Sequence, residues 1–134
     1  MNKNKMGIFQ YVLENLETLP FKDKIRVFGS IAQGSKDPGD IDLFVDLRDQ
    51  AFVDDRQLQP YRRLISIAGS QYGWVDPFLM FENALFVRND HATGWQRARN
   101  ATALKKSMLE HSINLEEAVA FVGQSEPSSA SIKP

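Results

Sequence analysis

Apolar spacing along this chain switches repeatedly between a helical and an extended period, and that alternation restricts it to a mixed architecture. From Ile8 to Leu19, apolar residues fall at Ile8, Phe9, Val12, Leu13 and Leu16, one stripe of a helix. Pro20 ends it by pushing Leu19 toward extended geometry. Lys24 to Phe28 alternates polar and apolar residues, with Ile25 and Val27 on one face, as a strand does. Gly34 to Gly39 is dense in loop formers. Ile41, Leu43, Phe44 and Val45 predict a second, central strand with acids interleaved. Helical spacing returns at Leu58, Tyr61, Leu64, Ile65 and Ala68, and Gly69 to Gly73 are expected to break that helix.

Farther along, Trp74 to Phe81 and Ala84 to Val87 read as a hairpin about a Glu82-Asn83 turn. Pro77 has no N–H to give a ladder, so it predicts an edge strand or a bulge there. The spacing then predicts a helix from about Thr93 to Glu110, with Trp95, Ala98, Ala101, Leu104 and Met108 toward the core. Asn114 followed by Glu117 marks the N-cap of a last helix ending at Val122. With a short helix at Ser30-Ile-Ala-Gln33, the order is α-β-α-β-α-β-β-α-α. The expected fold class is α/β or α+β, a small mixed sheet flanked by helices.

The chain has 134 residues, which favours one domain over residues 1–123. Residues 124–134 are Ser- and Pro-rich and are expected to form a disordered tail. There is no cysteine, which excludes a disulfide framework and a thiolate metal site and suits a cytoplasmic protein. A net charge of −1 argues against broad attraction to nucleic acid or anionic lipid. The sequence shows no signal peptide and no apolar run long enough to span a bilayer.

Chemistry concentrates between Val27 and Phe44. Strand side chains repeat with a period of two, so Asp40 and Asp42 share a face while Ile41 points into the core. Two bare carboxylates roughly 4–6 Å apart repel by on the order of 3–4 kcal/mol at an effective dielectric near 20. No Lys or Arg follows on that strand before Arg48, so a divalent cation is the economical counter-charge, and all-oxygen ligands favour Mg2+ or Mn2+. Gly29 lets a phosphate approach the backbone, and the Ser30 hydroxyl can donate to it. A helix beginning at Ser30 would add its N-terminal N–H groups. A phosphate-holding turn beside an acid pair is a layout for nucleoside triphosphate chemistry.

An apolar strand, Gly29-Ser30, a nine-residue spacer and Asp40-Ile41-Asp42 together resemble the motif of the DNA-polymerase-β-like nucleotidyltransferase superfamily. The likeness is greatest to its minimal nucleotidyltransferases, a group that includes antitoxin partners of HEPN-domain toxins. The resemblance covers residues 24 to 79 and implies a third carboxylate on a later strand, for which Asp76 is the candidate. It implies that Asp40, Asp42 and Asp76 hold Mg2+ or Mn2+, that Asp76 takes a proton from the acceptor hydroxyl, and that Gly29 and Ser30 bind phosphate. Small members often carry Arg where this chain has Gln33, and Lys36 or Arg88 are the candidate replacements. The activity implied is transfer of a nucleotide, AMP foremost, from an NTP such as ATP to a hydroxyl of a protein or small molecule. The alternative is a non-catalytic module of the same fold that neutralises a partner such as a HEPN-type toxin. Self-association is compatible with either.

Other residues carry blander readings. His91 and His111 have no partner pattern and read as surface residues. Arg97, Arg99, Lys105 and Lys106 read as the solvated basic face of the predicted 93–110 helix. Trp74 and Trp95 read as core.

Overall fold

A computed structural model describes residues 3–49, 55–72, 74–88 and 95–124. In chain order the elements are α1 (Lys3–Leu16), β1 (Ile25–Phe28), β2 (Ile41–Asp46), α2 (Asp55–Tyr72), β3 (Val75–Met80), β4 (Leu85–Arg88), β5 (Trp95–Arg97), α3 (Ala101–Glu110), β6 (Ile113–Asn114) and α4 (Leu115–Gln124). The strands form a six-stranded mixed sheet in the order β5-β4-β3-β2-β1-β6, as the expected fold class requires. The central pair β2 and β3 is parallel and is joined through α2, while every other pairing is antiparallel.

Strand alternation divides the core. Ile25, Val27, Ile41, Leu43, Val45, Val75 and Leu79 face one side, and their main cluster is completed by Met6, Phe9, Val12, Leu13 and Leu16 of α1, Leu58, Tyr61 and Ile65 of α2, and Leu115, Ala118 and Val122 of α4. On the opposite side Phe44, Met80 and Leu85 are buried against Met108 of α3, with Phe28 and Phe78 half-buried at the margin. Asp42 and Asp76 lie on this second face, because each is two residues before one of its phenylalanines.

Three local expectations fail for identifiable reasons. The 93–110 helix is wrong at its start: Trp95–Arg97 is an edge strand paired with β4, and Asn100, at φ 53, turns the chain before α3 begins at Ala101. Residues 89–94 lie outside the described segments, as does His91 with them. Gly69 does not break α2, which continues to Tyr72. A helical glycine costs only about 1 kcal/mol, less than the packing of α2 on α1 and β3 returns. Pro77 lies in an interior strand rather than at an edge. Trp74 and Met80 aim their carbonyls at β2, so Pro77, odd in that alternation, turns its missing N–H toward β4, whose ladder starts only at Phe78.

The last helix is capped as its sequence predicts. Asn114 Oδ1 accepts from the Glu117 N–H at 2.8 Å, and Glu117 Oε1 accepts from the Asn114 N–H at 3.3 Å. α4 runs two residues past Val122, so Gly123 and Gln124 are helical, and the remainder of the expected tail lies outside the described residues. Replacing Asn114 with Ala removes one arm of this capping box. We expect a loss of about 1 kcal/mol, read as a lowered urea midpoint with an unchanged slope.

Candidate functional site

Register brings the acids together. Asp42 and Asp76 are direct partners across the parallel β2–β3 ladder. Asp40 precedes β2 by one residue, on the same side of the chain as Asp42. Carboxylate oxygens of all three lie within 4.8 Å of one another. Opposite ligands of one octahedral Mg2+ stand about 4.2 Å apart at a bond length near 2.1 Å, so three oxygens at this spacing fit a hard divalent ion with small side-chain adjustments.

The electrostatics give the same fit. Burial lifts the Asp42 carboxyl to about 8, with the charge of Asp40 and then a hydrogen bond and charge from Asp76 adding to it. Burial, then a hydrogen bond and charge from Asp76, lifts Asp40 to about 6. Protons therefore take the place of the missing counter-charge, which a divalent cation would supply instead. Because Asp40 and Asp42 act on each other, they titrate as a pair.

Gly29 ends β1 at φ +73, and a Cβ built on it would collide with the Asp42 carboxylate. The glycine is needed twice here, for a left-handed backbone and for the close approach of an acid. The expected helix at Ser30 is a single turn. Gln33 N–H bonds the Gly29 carbonyl, Gly34 N–H bonds Ile31, and Ser35 N–H reaches back to Ser30 at 3.0 Å, with Gly34 at φ +81. That is a Schellman closure, which stops a helix one turn after it starts. Ser30 Oγ is shielded from solvent and has no hydrogen-bond partner. On the same sheet face as the acids, Phe28, the register partner of Asp42, meets Phe44 at 5.9 Å and Phe78 at 5.6 Å between ring centroids, an apolar group beside the carboxylates.

The basic residues fare differently. Lys36 is exposed on the loop between β1 and β2. Arg88 is the last residue of β4. The expected basic helix face does not exist as one surface: Arg97 is on β5, Arg99 lies in the connection, and Lys105 and Lys106 are on α3. Lys105 donates to the carbonyls of Phe81 at 2.7 Å and Glu82 at 2.6 Å, bracing the β3–β4 turn. His111 is exposed, 3.9 Å from Glu110. Trp95 stacks on Tyr61 at 6.5 Å and Trp74 meets Phe9 edge-on at 6.0 Å, packing roles in both cases.

One residue near the acids carries no motif. Lys5, on α1 behind the sheet, acts on Asp40 and favours its ionised form. Only the tertiary packing of α1 reveals it. Among the described residues, no helix is long and apolar enough to cross a membrane. The chain matches no protein-family model, no curated protein and no solved structure.

Proposed function

We propose that this protein is a metal-dependent nucleotidyltransferase of the DNA-polymerase-β-like kind, moving a nucleotide, AMP foremost, from an NTP to a hydroxyl of a protein or small molecule. The observation that carries the reading is the register pairing of Asp42 with Asp76, which joins the Asp40 pair to a third carboxylate from a separate strand. A lone Asp-x-Asp at a strand start is an ordinary feature. Three convergent carboxylates, two of them with raised proton affinity, beside a glycine whose missing side chain makes room for one of them, are not.

Asp40, Asp42 and Asp76 would hold Mg2+ or Mn2+, and the ions would polarise the α-phosphate and stabilise the oxygens of the attacking and leaving groups. The chain's own residues account for the rest. Gly29 lets the Asp42 carboxylate stand against the end of β1, and Ser30 supplies a hydroxyl that has no protein partner. Asp76 accepts the proton of the acceptor hydroxyl as its oxygen forms a bond to the α-phosphorus. The bond from that phosphorus to the oxygen bridging the α- and β-phosphates breaks, and pyrophosphate departs with the electron pair. Phe28, Phe44 and Phe78, beside the acids on the same sheet face, limit the approach of bulk water from that side.

Calorimetric titration of ATP with Mg2+ into the wild type and Asp42→Asn tests the reading. Binding to the wild type and at least a tenfold loss in the variant are expected. No heat with either protein, for ATP or any other NTP, would count against the reading. Tight binding without release of pyrophosphate in the presence of a co-purified partner would favour the non-catalytic module instead.

A further inference from the structure

We propose that Lys5 is the cation that receives the outer phosphates of the bound nucleotide, a role that rests on the nucleotidyltransferase reading above. The position follows from packing. Lys5 lies in the first turn of α1, where the helix dipole also presents its positive end. Its Nζ sits 5.9 Å from the centroid of the Phe9 ring. Phe9 meets Trp74 edge-on, with centroids 6.0 Å apart. The Trp74 carbonyl accepts the N–H of Ile41 at 2.6 Å, and Ile41 stands between Asp40 and Asp42. This run of contacts fixes the ammonium group at the end of the sheet where β2 and β3 begin. There its charge acts on Asp40.

Charge balance gives that position its use. Two divalent ions are nearly neutralised by three carboxylates, so the outer phosphates of a triphosphate need a protein cation. Three of the described basic side chains near that face are held by bonds of their own. Arg26 donates to Ser112 at 2.8 Å and 3.1 Å. Arg48 pairs with Asp46 through two contacts of 2.8 Å. Lys105 is bound to two carbonyls. Lys5 belongs to α1, in the helical layer packed on the other side of the sheet, with its Nζ over Phe9. It supplies the charge that Gln33 does not.

The test uses Lys5→Met, which keeps the apolar stem over Phe9 and removes the charge, and Lys5→Arg, which keeps the charge. Each protein is titrated with Mn2+ alone, with α,β-methylene-ATP in Mg2+, and with AMP. The two effects of Lys5→Met should have opposite signs. Mn2+ alone should bind about two- to fivefold more tightly, because a like charge beside the acids is gone. The triphosphate analogue should bind at least about tenfold more weakly, AMP should change little, and Lys5→Arg should stay within about threefold of wild type. An analogue affinity within twofold of wild type in Lys5→Met overturns the role of Lys5 alone. A parallel loss of Mn2+, AMP and analogue marks a structural role and overturns it as well. A wild type that binds Mn2+ but no nucleotide removes the nucleotidyltransferase reading and this role together, while any gain in Mn2+ affinity would still report Lys5 beside the acids.

Discussion

Without divalent cations the protein will lose stability as pH rises from about 4 to about 8, and Mn2+ or Mg2+ will restore it. Asp42 is lifted to about 8 and Asp40 to about 6 in the fold, from an ordinary value of 3.8. Between those limits the folded state binds more protons than the unfolded chain, so raising the pH favours unfolding. The contribution is whole below about pH 4 and is lost progressively as Asp40 and Asp42 ionise. Discounted for the solvent that reaches these carboxylates, the swing is on the order of 2–3 kcal/mol. Near this chain length that corresponds to roughly 6–12 °C in Tm. A divalent ion binds the ionised carboxylates of the folded state only, so its rescue should grow with pH and reach about 2.7 kcal/mol at one hundred times its Kd.

Asp42→Asn separates this effect from general alkaline sensitivity. The amide occupies the same space and carries no charge, so the metal-free variant should be more stable than the wild type at pH 8 and flatter across the range. It should also gain little from Mn2+. Thermal melts of both proteins from pH 4 to 9, with and without 10 mM Mn2+ (about one hundredfold over a Kd on the order of 0.1 mM), provide the measurement. A wild-type profile that is flat and unmoved by Mn2+ would mean that the three carboxylates do not act as one site.

What the sequence discloses here depends on how local its cause is. The acid pair is legible because a period of two is fixed by strand geometry, and burial of Ile41 follows from the same rule. The capping box is legible because Asn114 and Glu117 satisfy each other within four residues. Asp76 was within reach only through the motif, since its approach to Asp42 depends on the parallel register after an intervening helix. Trp95–Arg97 misleads because Trp95, Ala98 and Ala101 keep a helical interval with the true helix that follows. Their strand state comes from the neighbouring edge of β4, which no local window contains. Lys5 leaves no trace at all, because its place beside Asp40 is made by Phe9 on Trp74, two residues far apart in the chain.

Gly29→Ala should disable the site more than it destabilises the fold, and Gly34→Ala should do the reverse. Both glycines have left-handed backbones, at φ +73 and +81, so each alanine incurs a conformational cost of about 1 kcal/mol. At Gly34 that is the whole cost, because nothing lies within 4 Å of the added methyl. At Gly29 the methyl would overlap the Asp42 carboxylate and stand 3.2 Å from the Asp42 Cβ. A carboxylate at the end of a rotatable side chain yields more easily than two paired strands, so the clash displaces the ligand oxygen rather than the sheet. Gly29→Ala should therefore weaken Mn2+ by at least about tenfold, with a stability loss on the order of 1–3 kcal/mol. Gly34→Ala should lose about 1 kcal/mol and keep wild-type Mn2+ affinity. Equal Mn2+ affinities in the two variants would mean that Asp42 is not held against Gly29, and would remove the steric reason for a glycine at the end of β1.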